Sequence, residues 1–343
     1  MYKGISLFSG AGGLDIGVRE AGVEVFLSSD IDEDSIKTVQ MNCPDTEAVC
    51  IDIKKQSFKK FKKEKNLIIF GGPPCQPFSK NGYWVKNLNR DSSSDSRNLL
   101  GEFYRSIEES KPNGFIFENV ESMLHPTNKK SLVNFEKELK ECGYSTKLLR
   151  LNAADFGVPQ KRKRVFILGI KGKNKNIDDI EPTHFSVPKG KKLPSNQTPY
   201  EGVEKFIKPF NKDKYKEDYE IASEGTYFNE MANVLPGRNY MSLNELGKGY
   251  KGKRWKNGTR FWNFLYKLHP DQPSITIAAQ PGPWVGPFHW ENRRLRVPEI
   301  AAIQTFPKGY NFYGTRRSIQ MQIGNAVPCL LAQRVTEHLL INL

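Results

Sequence analysis

Cys75 stands in Gly71-Gly72-Pro73-Pro74-Cys75-Gln76-Pro77-Phe78-Ser79, directly after the apolar run 67–70. Two prolines hold the backbone in a fixed extended path, so the cysteine is presented from a stiff loop rather than packed in a core. A thiol near backbone donors can be activated as its thiolate, the form that acts as a nucleophile. The alternative on these residues alone is a structural proline turn around a buried cysteine. A carboxyl follows at the end of the next apolar run, in Phe117-Glu118-Asn119-Val120. A surface glutamate is the alternative there, but solubility explains a glutamate at the end of an apolar strand poorly. Further on comes Gln160-Lys161-Arg162-Lys163-Arg164. Strand alternation sends Gln160, Arg162 and Arg164 one way and the lysines the other. Those arginines could bind phosphate, orient a substrate, or form an ordinary charged edge.

A second kind of chemistry is suggested by Phe8-Ser9-Gly10-Ala11-Gly12-Gly13-Leu14 near the N-terminus. Glycines between a strand and a helix let the backbone approach a ligand, and the helix N-terminus adds hydrogen-bond donors. Such a turn is a weak signal alone. The next strand is expected to end at Asp30 and the third at Asp52, and an acid at the end of strand two suits ribose hydroxyls. Each acid singly reads as a helix cap or surface residue. Together with the glycine loop they point to an adenosine-containing ligand.

The elements that must position these residues alternate in type. Short apolar runs at 5–8, 23–28, 48–51, 67–70 and 115–117 read as strands. Amphipathic stretches at 14–21, 34–41, 98–110 and 131–142 read as helices between them, with Gly22 and Gly143 placed for left-handed C-caps. Two more strands are expected at 146–151 and 165–169. This is the pattern of an α/β, doubly wound, mostly parallel sheet with crossover helices. Because parallel strands deliver their C-terminal ends to one crevice, Glu118 is expected on the same edge as Cys75. From about 171 to 290 the texture turns loop-rich and basic, yet its aromatic content argues against disorder. Helical patterns return at 297–306 and 328–340, the second with a proline in its first turn.

Composition narrows the class further. A chain of 343 residues is long enough for a full-size core and a smaller second domain. The five cysteines include no C-x-x-C pair, which disfavours a disulfide framework or a metal site, and no metal is expected. No apolar run approaches the roughly 20 residues that span a bilayer. The N-terminus lacks a signal-peptide cleavage site, so no membrane and a cytoplasmic location are expected. The net charge of +14 suits a polyanionic partner held through its phosphates, although a merely soluble basic protein is the plainer reading. Part of the excess is local: the lysine-rich stretch 54–65 reads as a solvated helix face.

Taken in order, these motifs resemble those of the DNA cytosine-C5 methyltransferase family, of the bacterial restriction-modification type. Arg293-Arg294-Leu295 with Glu299, and Gln322-Ile323-Gly324-Asn325-Ala326-Val327-Pro328, belong to the same resemblance, which covers almost the whole chain. It implies that Cys75 adds to C6 of a flipped-out cytosine and makes C5 enamine-like. Glu118 would hold the N3 and amine edge, Arg162 the base, and Arg164 would support it. S-adenosyl-L-methionine would donate the methyl group and leave as S-adenosyl-L-homocysteine. By the same resemblance Phe8, Gly10, Gly12, Leu14 and Pro74 would line the cofactor site. Asp30 would hold the ribose, Ile31 would pack on adenine, and Asp52 and Ile53 would read its edge. Leu100, Asn325, Ala326 and Val327 would close the pocket. Two departures stand out: Ser29-Asp30 replaces Asn-Glu, and Ile31 an aromatic residue, which would loosen the hold on adenosine.

The resemblance also divides the chain into a cofactor-binding catalytic domain, 1–178 with 310–343, and a target-recognition domain, 179–309. Within the latter, Arg238, Lys251, Lys253, Arg254, Lys256 and Arg260 are interleaved with Tyr240, Tyr250, Trp255, Phe261 and Trp262. Pro273-Ser274-Ile275-Thr276-Ile277 resembles a short element common in that domain. The polar loop from Ser79 to about Arg97 could close over a flipped base, or be a plain surface loop. The implied partners are double-stranded DNA and a cognate restriction endonuclease acting independently, with the enzyme a monomer in the bacterial cytoplasm. Two rivals remain. One is an RNA methyltransferase of the family, whose usual Cys-Phe-Thr element is absent here. The other is a non-catalytic DNA-binding homologue, which would be expected to lack Cys75.

Overall fold

The structure, a computed structural model, describes residues 1–74, 99–187, 190–218, 220, 225–247, 249–256 and 258–343, apart from the side chains of Thr127 and Lys129. Its centre is one sheet of seven strands: β1 (Lys3–Leu7), β2 (Glu24–Asp30), β3 (Glu47–Cys50), β4 (Leu67–Gly71), β5 (Gly114–Val120), β6 (Tyr144–Asn152) and β7 (Lys163–Lys171). Their order is β3-β2-β1-β4-β5-β7-β6. All neighbours from β3 to β5 run parallel, and β7 runs against both β5 and β6.

The central strands are buried on both faces, which is why β4 and β5 read as unbroken apolar runs rather than alternating ones. On one face α1 (Gly13–Glu20) and the C-terminal α9 (Cys329–Asn342) bury Leu14, Val18, Leu331 and Val335 against Val25, Ile68 and Phe166. On the other, α3 (Leu100–Ser110) and α4 (Lys129–Glu141) bury Phe103, Ile107, Phe135 and Leu139 against Ile5, Ile69 and Phe117. The doubly wound arrangement expected from the sequence is therefore present. Beside β2 and β3, α2 (Glu33–Asn42) starts at Asp32, whose carboxylate accepts the Ser35 backbone N–H at 3.0 Å, a normal N-cap. Gly22 and Gly143 do take positive φ values, of 88° and 93°, just past α1 and α4.

Several elements depart from expectation, most by a few residues at their ends. β3 stops at Cys50, so Asp52 caps a short 3-10 turn instead of ending a strand. Pro328 is the N-cap of α9 and lies just outside it. A helix not foreseen, α8 (Arg316–Asn325), precedes it; polar residues fill most of its positions, so the apolar period that marks a helix is weak.

Between the sheet and α8 the chain is irregular. It forms a two-residue strand pair, His184–Phe185 with Thr198–Pro199, and the short helices α5 (Glu204–Ile207), α6 (Phe228–Asn233) and α7 (Val297–Ile303). Met231, Tyr240, Leu243, Trp255, Phe264 and Phe288 give this region a core of its own. A second core is shared: Tyr266, Leu268, Ile277 and Ile300 pack with Ala11, Ile16 and Ile323. Two buried ion pairs fasten the junction. Arg293 binds Glu299 through two bonds of 2.7 and 2.8 Å, and Arg296 binds Glu220 at 2.5 Å. Removing one partner of such a pair strands a charge in the interior. Arg293→Met is accordingly expected to lower stability by roughly 3–5 kcal/mol, read from the urea midpoint, with Arg293→Met/Glu299→Leu recovering much of the loss.

Candidate active site

Strand order reverses between β1 and β4, so the loops leaving their carboxyl ends diverge and open a crevice at the sheet edge. A cleft of about 480 Å³ lies there, within the usual range of small-molecule sites. After β1 the chain turns into α1 through left-handed backbone at Phe8, Gly10 and Gly12, with φ of 55°, 51° and 78°. Such geometry in a non-glycine residue costs energy and is characteristic of ligand sites, which singles out Phe8. Asp30 locks the turn from the end of β2. Its two carboxylate oxygens accept the backbone N–H groups of Gly10 at 2.8 Å and Asp32 at 2.9 Å. Burial pushes this carboxyl above its ordinary range, and those two N–H bonds pull it back. The Ser9 hydroxyl is buried beside the cleft with no hydrogen-bond partner among the described residues.

Below the loop Asp15 is fully buried and accepts the hydroxyls of Ser6 and Ser28, both at 2.6 Å. It ties α1 to β1 and β2, and burial raises its carboxyl. Sequence reasoning passed over it, although an aspartate flanked by Leu14 and Ile16 was the visible signal.

The other wall comes from β4 and β5. A Cβ on Gly72 would stand 2.5 Å from the Glu118 Oε2, so any side chain here would have to displace this carboxyl or the loop after β4. Asn119 donates to the Pro73 carbonyl at 3.3 Å and accepts the Val120 N–H at 2.9 Å, bracing the same loop. Glu118 pairs with the Arg164 guanidinium at 2.9 Å. Burial pushes the Glu118 carboxyl up, while the charges of Arg164 and Arg162 pull it down, with a net rise. Arg162 is 1% exposed and donates to the Gly324 carbonyl at 2.7 Å and that of Ile277 at 3.3 Å.

Most of the residues singled out in the sequence face this one cleft. From the nucleotide-type set, Phe8, Gly10, Leu14, Asp30, Ile31, Asp52 and Ile53 line it. So do Pro74, Glu118, Arg162 and Arg164, and the segment Asn325, Ala326 and Val327. Cys75 lies outside the described residues, as does the whole loop from Ser79 to Arg97. Two expected positions do not line the cleft. Gly12 is the left-handed N-cap of α1, where a Cβ would meet the Tyr310 hydroxyl at 3.0 Å. Leu100 is turned by the start of α3 into the core beneath the sheet, and Leu99 lines the cleft instead. Asp52 keeps one oxygen on the Lys54 N–H at 3.0 Å, so only part of its carboxylate is open to a ligand. Ile31 is 73% exposed, an apolar side chain standing at the cleft. Met321 lines it too and carried no sequence signal.

The model of the C-5 cytosine-specific DNA methylase family matches residues 2–340. The chain belongs to that family. As a DNA cytosine-C5 methyltransferase it is 35% identical to the Type II methyltransferase M.SacI of Streptomyces achromogenes, over 98% of this chain and 92% of that protein. It is 33% identical to M1.HphI of Haemophilus parahaemolyticus, over 98% and 86%. Among solved structures the fold is that of the S. pombe Dnmt2 methyltransferase, with a TM-score of 0.67 at 14% identity and 99% of each chain covered. A DNMT2 variant of Spodoptera frugiperda gives 0.66 at 18% identity, over 99% of this chain and all of that one. These distant structures speak to the fold alone.

The clearance at Gly72 yields a sharp expectation for the methyltransferase. Gly72→Ala must displace either Glu118 or the loop carrying Pro73 and Pro74. The methyl-transfer rate is expected to fall at least about tenfold, one such displacement sufficing, while the thermal midpoint moves by only a few degrees. A rate within twofold of wild type would show that the contact has no bearing on catalysis.

Proposed function

We propose that the chain is a restriction-modification methyltransferase that transfers a methyl group from S-adenosyl-L-methionine to C5 of a flipped-out cytosine in double-stranded DNA, through an adduct between Cys75 and C6. The observation that carries this reading is Glu118, a buried carboxyl held by Arg164 and Arg162 immediately beside the loop that leads to Cys75.

The cofactor's fit rests on the cleft itself. The left-handed Gly10 turn, the unpartnered Ser9 hydroxyl, the lone pairs left on Asp30 and Asp52, and the exposed face of Ile31 together suit an adenosine with a polar tail. Phe8, Leu14 and Ile53, with Leu99 and the 325–327 segment, would enclose it. S-adenosyl-L-methionine bound there supplies an electrophilic methyl group.

The protein's own groups do the rest. The cytosine leaves the stack, since its C5 and C6 are unreachable within a duplex. The Cys75 thiolate forms a bond to C6 while Glu118, protonated, gives its proton to N3 and accepts from the exocyclic amine, so the charge displaced onto the ring is neutralised. C5 becomes nucleophilic and takes the methyl group, whose donor would leave as S-adenosyl-L-homocysteine, and N3 returns its proton to Glu118. Loss of the C5 proton to a base then breaks the sulfur–C6 bond and restores the thiolate. Arg164 holds Glu118 in place, and Arg162 fixes the floor beneath the base. Residues 179–309 would form the recognition domain and 1–178 with 310–343 the catalytic one. A cognate endonuclease acting on the same site is the expected partner of a monomeric, cytoplasmic enzyme; among the described residues no helix is long and apolar enough to cross a membrane.

Labelled methyl transfer to mixed-sequence duplex DNA, followed by bisulfite sequencing, tests the whole reading. Wild type is expected to mark C5 within one short motif and Cys75→Ser to mark none. Methylation of transfer RNA in place of DNA would overturn the substrate assignment. Glu118 tests the proton step separately. Its working form is the acid, which is present below its folded pKa and lost as pH rises through it, and burial holds that pKa above the ordinary carboxylate range. The turnover number should therefore fall with rising pH along this limb. Glu118→Gln keeps a donor toward N3 and an acceptor toward the amine but has no labile proton. It is expected to be flat across that range and about 100-fold slower. An unchanged limb in the variant would assign it to another group.

A further inference from the structure

The aromatic residues of the irregular region fall into two sets. Tyr240, Trp255 and Phe264 pack edge to face inside its core. Phe261 and Trp262 do the opposite: 77% and 62% exposed, they stand in open solvent side by side. Their backbone is tied by hydrogen bonds. The Trp262 carbonyl accepts the Asn239 side-chain amide at 2.6 Å, and the Phe261 carbonyl accepts the Phe264 N–H at 3.0 Å. The indole rests on the buried Tyr266 ring at 5.0 Å and 32°. Two large rings are thus held outward on a hydrogen-bonded turn, where covering them would remove apolar surface from water.

The surroundings of this pair indicate what covers it. Between Glu245 and Asp271 the chain has seven Lys or Arg residues and no carboxylate. Lys251, Lys253, Lys256 and Arg260 are exposed, and none has a carboxylate partner among the described residues. Trp262 and Asn263 also border a shallow groove of about 330 Å³ whose far side is Lys161, Ile275 and Thr276. Lys161 is the residue before Arg162, which lines the catalytic cleft, and its carbonyl accepts the Thr276 hydroxyl at 3.0 Å. The groove thus sets the indole of Trp262 opposite a cation, Lys161, with apolar Ile275 beside it, as suits a polyanion with apolar base edges.

We propose that Phe261 and Trp262 are the specificity-determining contact of this chain, pressing on the base pairs beside the target cytosine while the neighbouring lysines hold phosphates. The assignment rests on the function proposed above. Phosphate contacts give affinity without sequence information, and contacts to bases give the discrimination. The two sets should therefore separate in experiment.

The test uses the full chain, with the target motif taken from bisulfite sequencing of wild-type product, and duplexes carrying that motif or one mismatch within it. Trp262→Ala and Phe261→Ala are expected to lower the cognate-to-mismatch ratio of methylation at least tenfold, with the slope of log affinity against log salt unchanged. Lys253→Gln is expected to leave the ratio unchanged and reduce that slope by about one unit. Trp262→Phe, which retains a ring, should keep most of the discrimination, and this separates loss of contact from loss of folding. A ratio within twofold of wild type in both alanine variants overturns the proposal. So would a change from dimer to monomer in sedimentation with DNA discrimination intact, which would give this face to a second copy of the chain. If wild type itself fails to methylate DNA, it is the proposed function that fails, and the two failures are told apart.

Discussion

A guanidinium that cannot lose its charge is buried where three distant parts of the chain meet, and the arrangement of the molecule follows from the need to satisfy it. Arg162 enters from the start of β7, donates to the Ile277 carbonyl in the irregular region and to the Gly324 carbonyl at the end of α8. Burying an arginine is tolerable only where acceptors surround it, and carbonyls from two other segments are not interchangeable with solvent. Gln160 extends the seam. Its side chain accepts the Ile277 N–H at 3.1 Å and donates to Gln304 at 2.8 Å, and Gln304 in turn donates to the Ile323 carbonyl at 2.6 Å. The segment that walls the cleft, the strand that floors it and the region with the basic loops are held in one register by amide and guanidinium bonds that a shift of an ångström would break.

That seam explains the electrostatics above it. Three carboxyls near the sheet edge are buried, and burial raises all of them, yet they are not equivalent. Asp15 is answered by two hydroxyls and faces no cavity, so it serves as a bolt. Asp30 is answered by two backbone N–H groups and shapes the glycine turn. Glu118 alone is set against cations while lining the cleft, so burial favours its protonated form while the guanidinium charges favour the carboxylate. A group in that position is suited to giving up and recovering a proton, which neither a bolt nor a cap could do.

How far the sequence revealed this depended on the kind of constraint. The glycine turn, Glu118 and the Gln160-Arg162-Arg164 alternation were legible because each reflects a local rule, strand period or backbone clearance, acting within a few residues. The central strands were legible as apolar runs for the same reason. Leu99 against Leu100 was not, since the start of a helix decides which of two adjacent leucines turns inward. Nor was α8, which sends only Ile319 and Ile323 to the core and relies besides on contacts of Gln322 with Thr38 and the Tyr313 carbonyl. Asp15 was overlooked because its partners, Ser6 and Ser28, are brought together only by the pairing of β1 with β2.

The positive charge of the chain carries a further lesson about irregular structure. A region with few ladders still has backbone carbonyls to satisfy, and here long cationic side chains do it. Arg254 donates to the carbonyls of Leu243, Asn244, Leu246 and Gly247. Lys267 is buried, bonded to the Ala232 carbonyl and to Asn292, and burial brings its pKa down to about 8. Arg238 is spent on Glu245, and Arg293 and Arg296 on internal carboxylates. A count of lysines and arginines therefore overstates the charge free to meet a polyanion, because part of it is scaffolding. The remaining cations matter by position: those at Lys251, Lys253 and Lys256 lie in the same stretch of chain as the exposed aromatic turn, whereas the lysines of 59–65 precede β4 and lie at the opposite edge of the sheet from the cleft. An excess that looked like one property of the sequence is thus three, and of these groups only Lys251, Lys253 and Lys256 are exposed within the stretch that also carries Phe261 and Trp262.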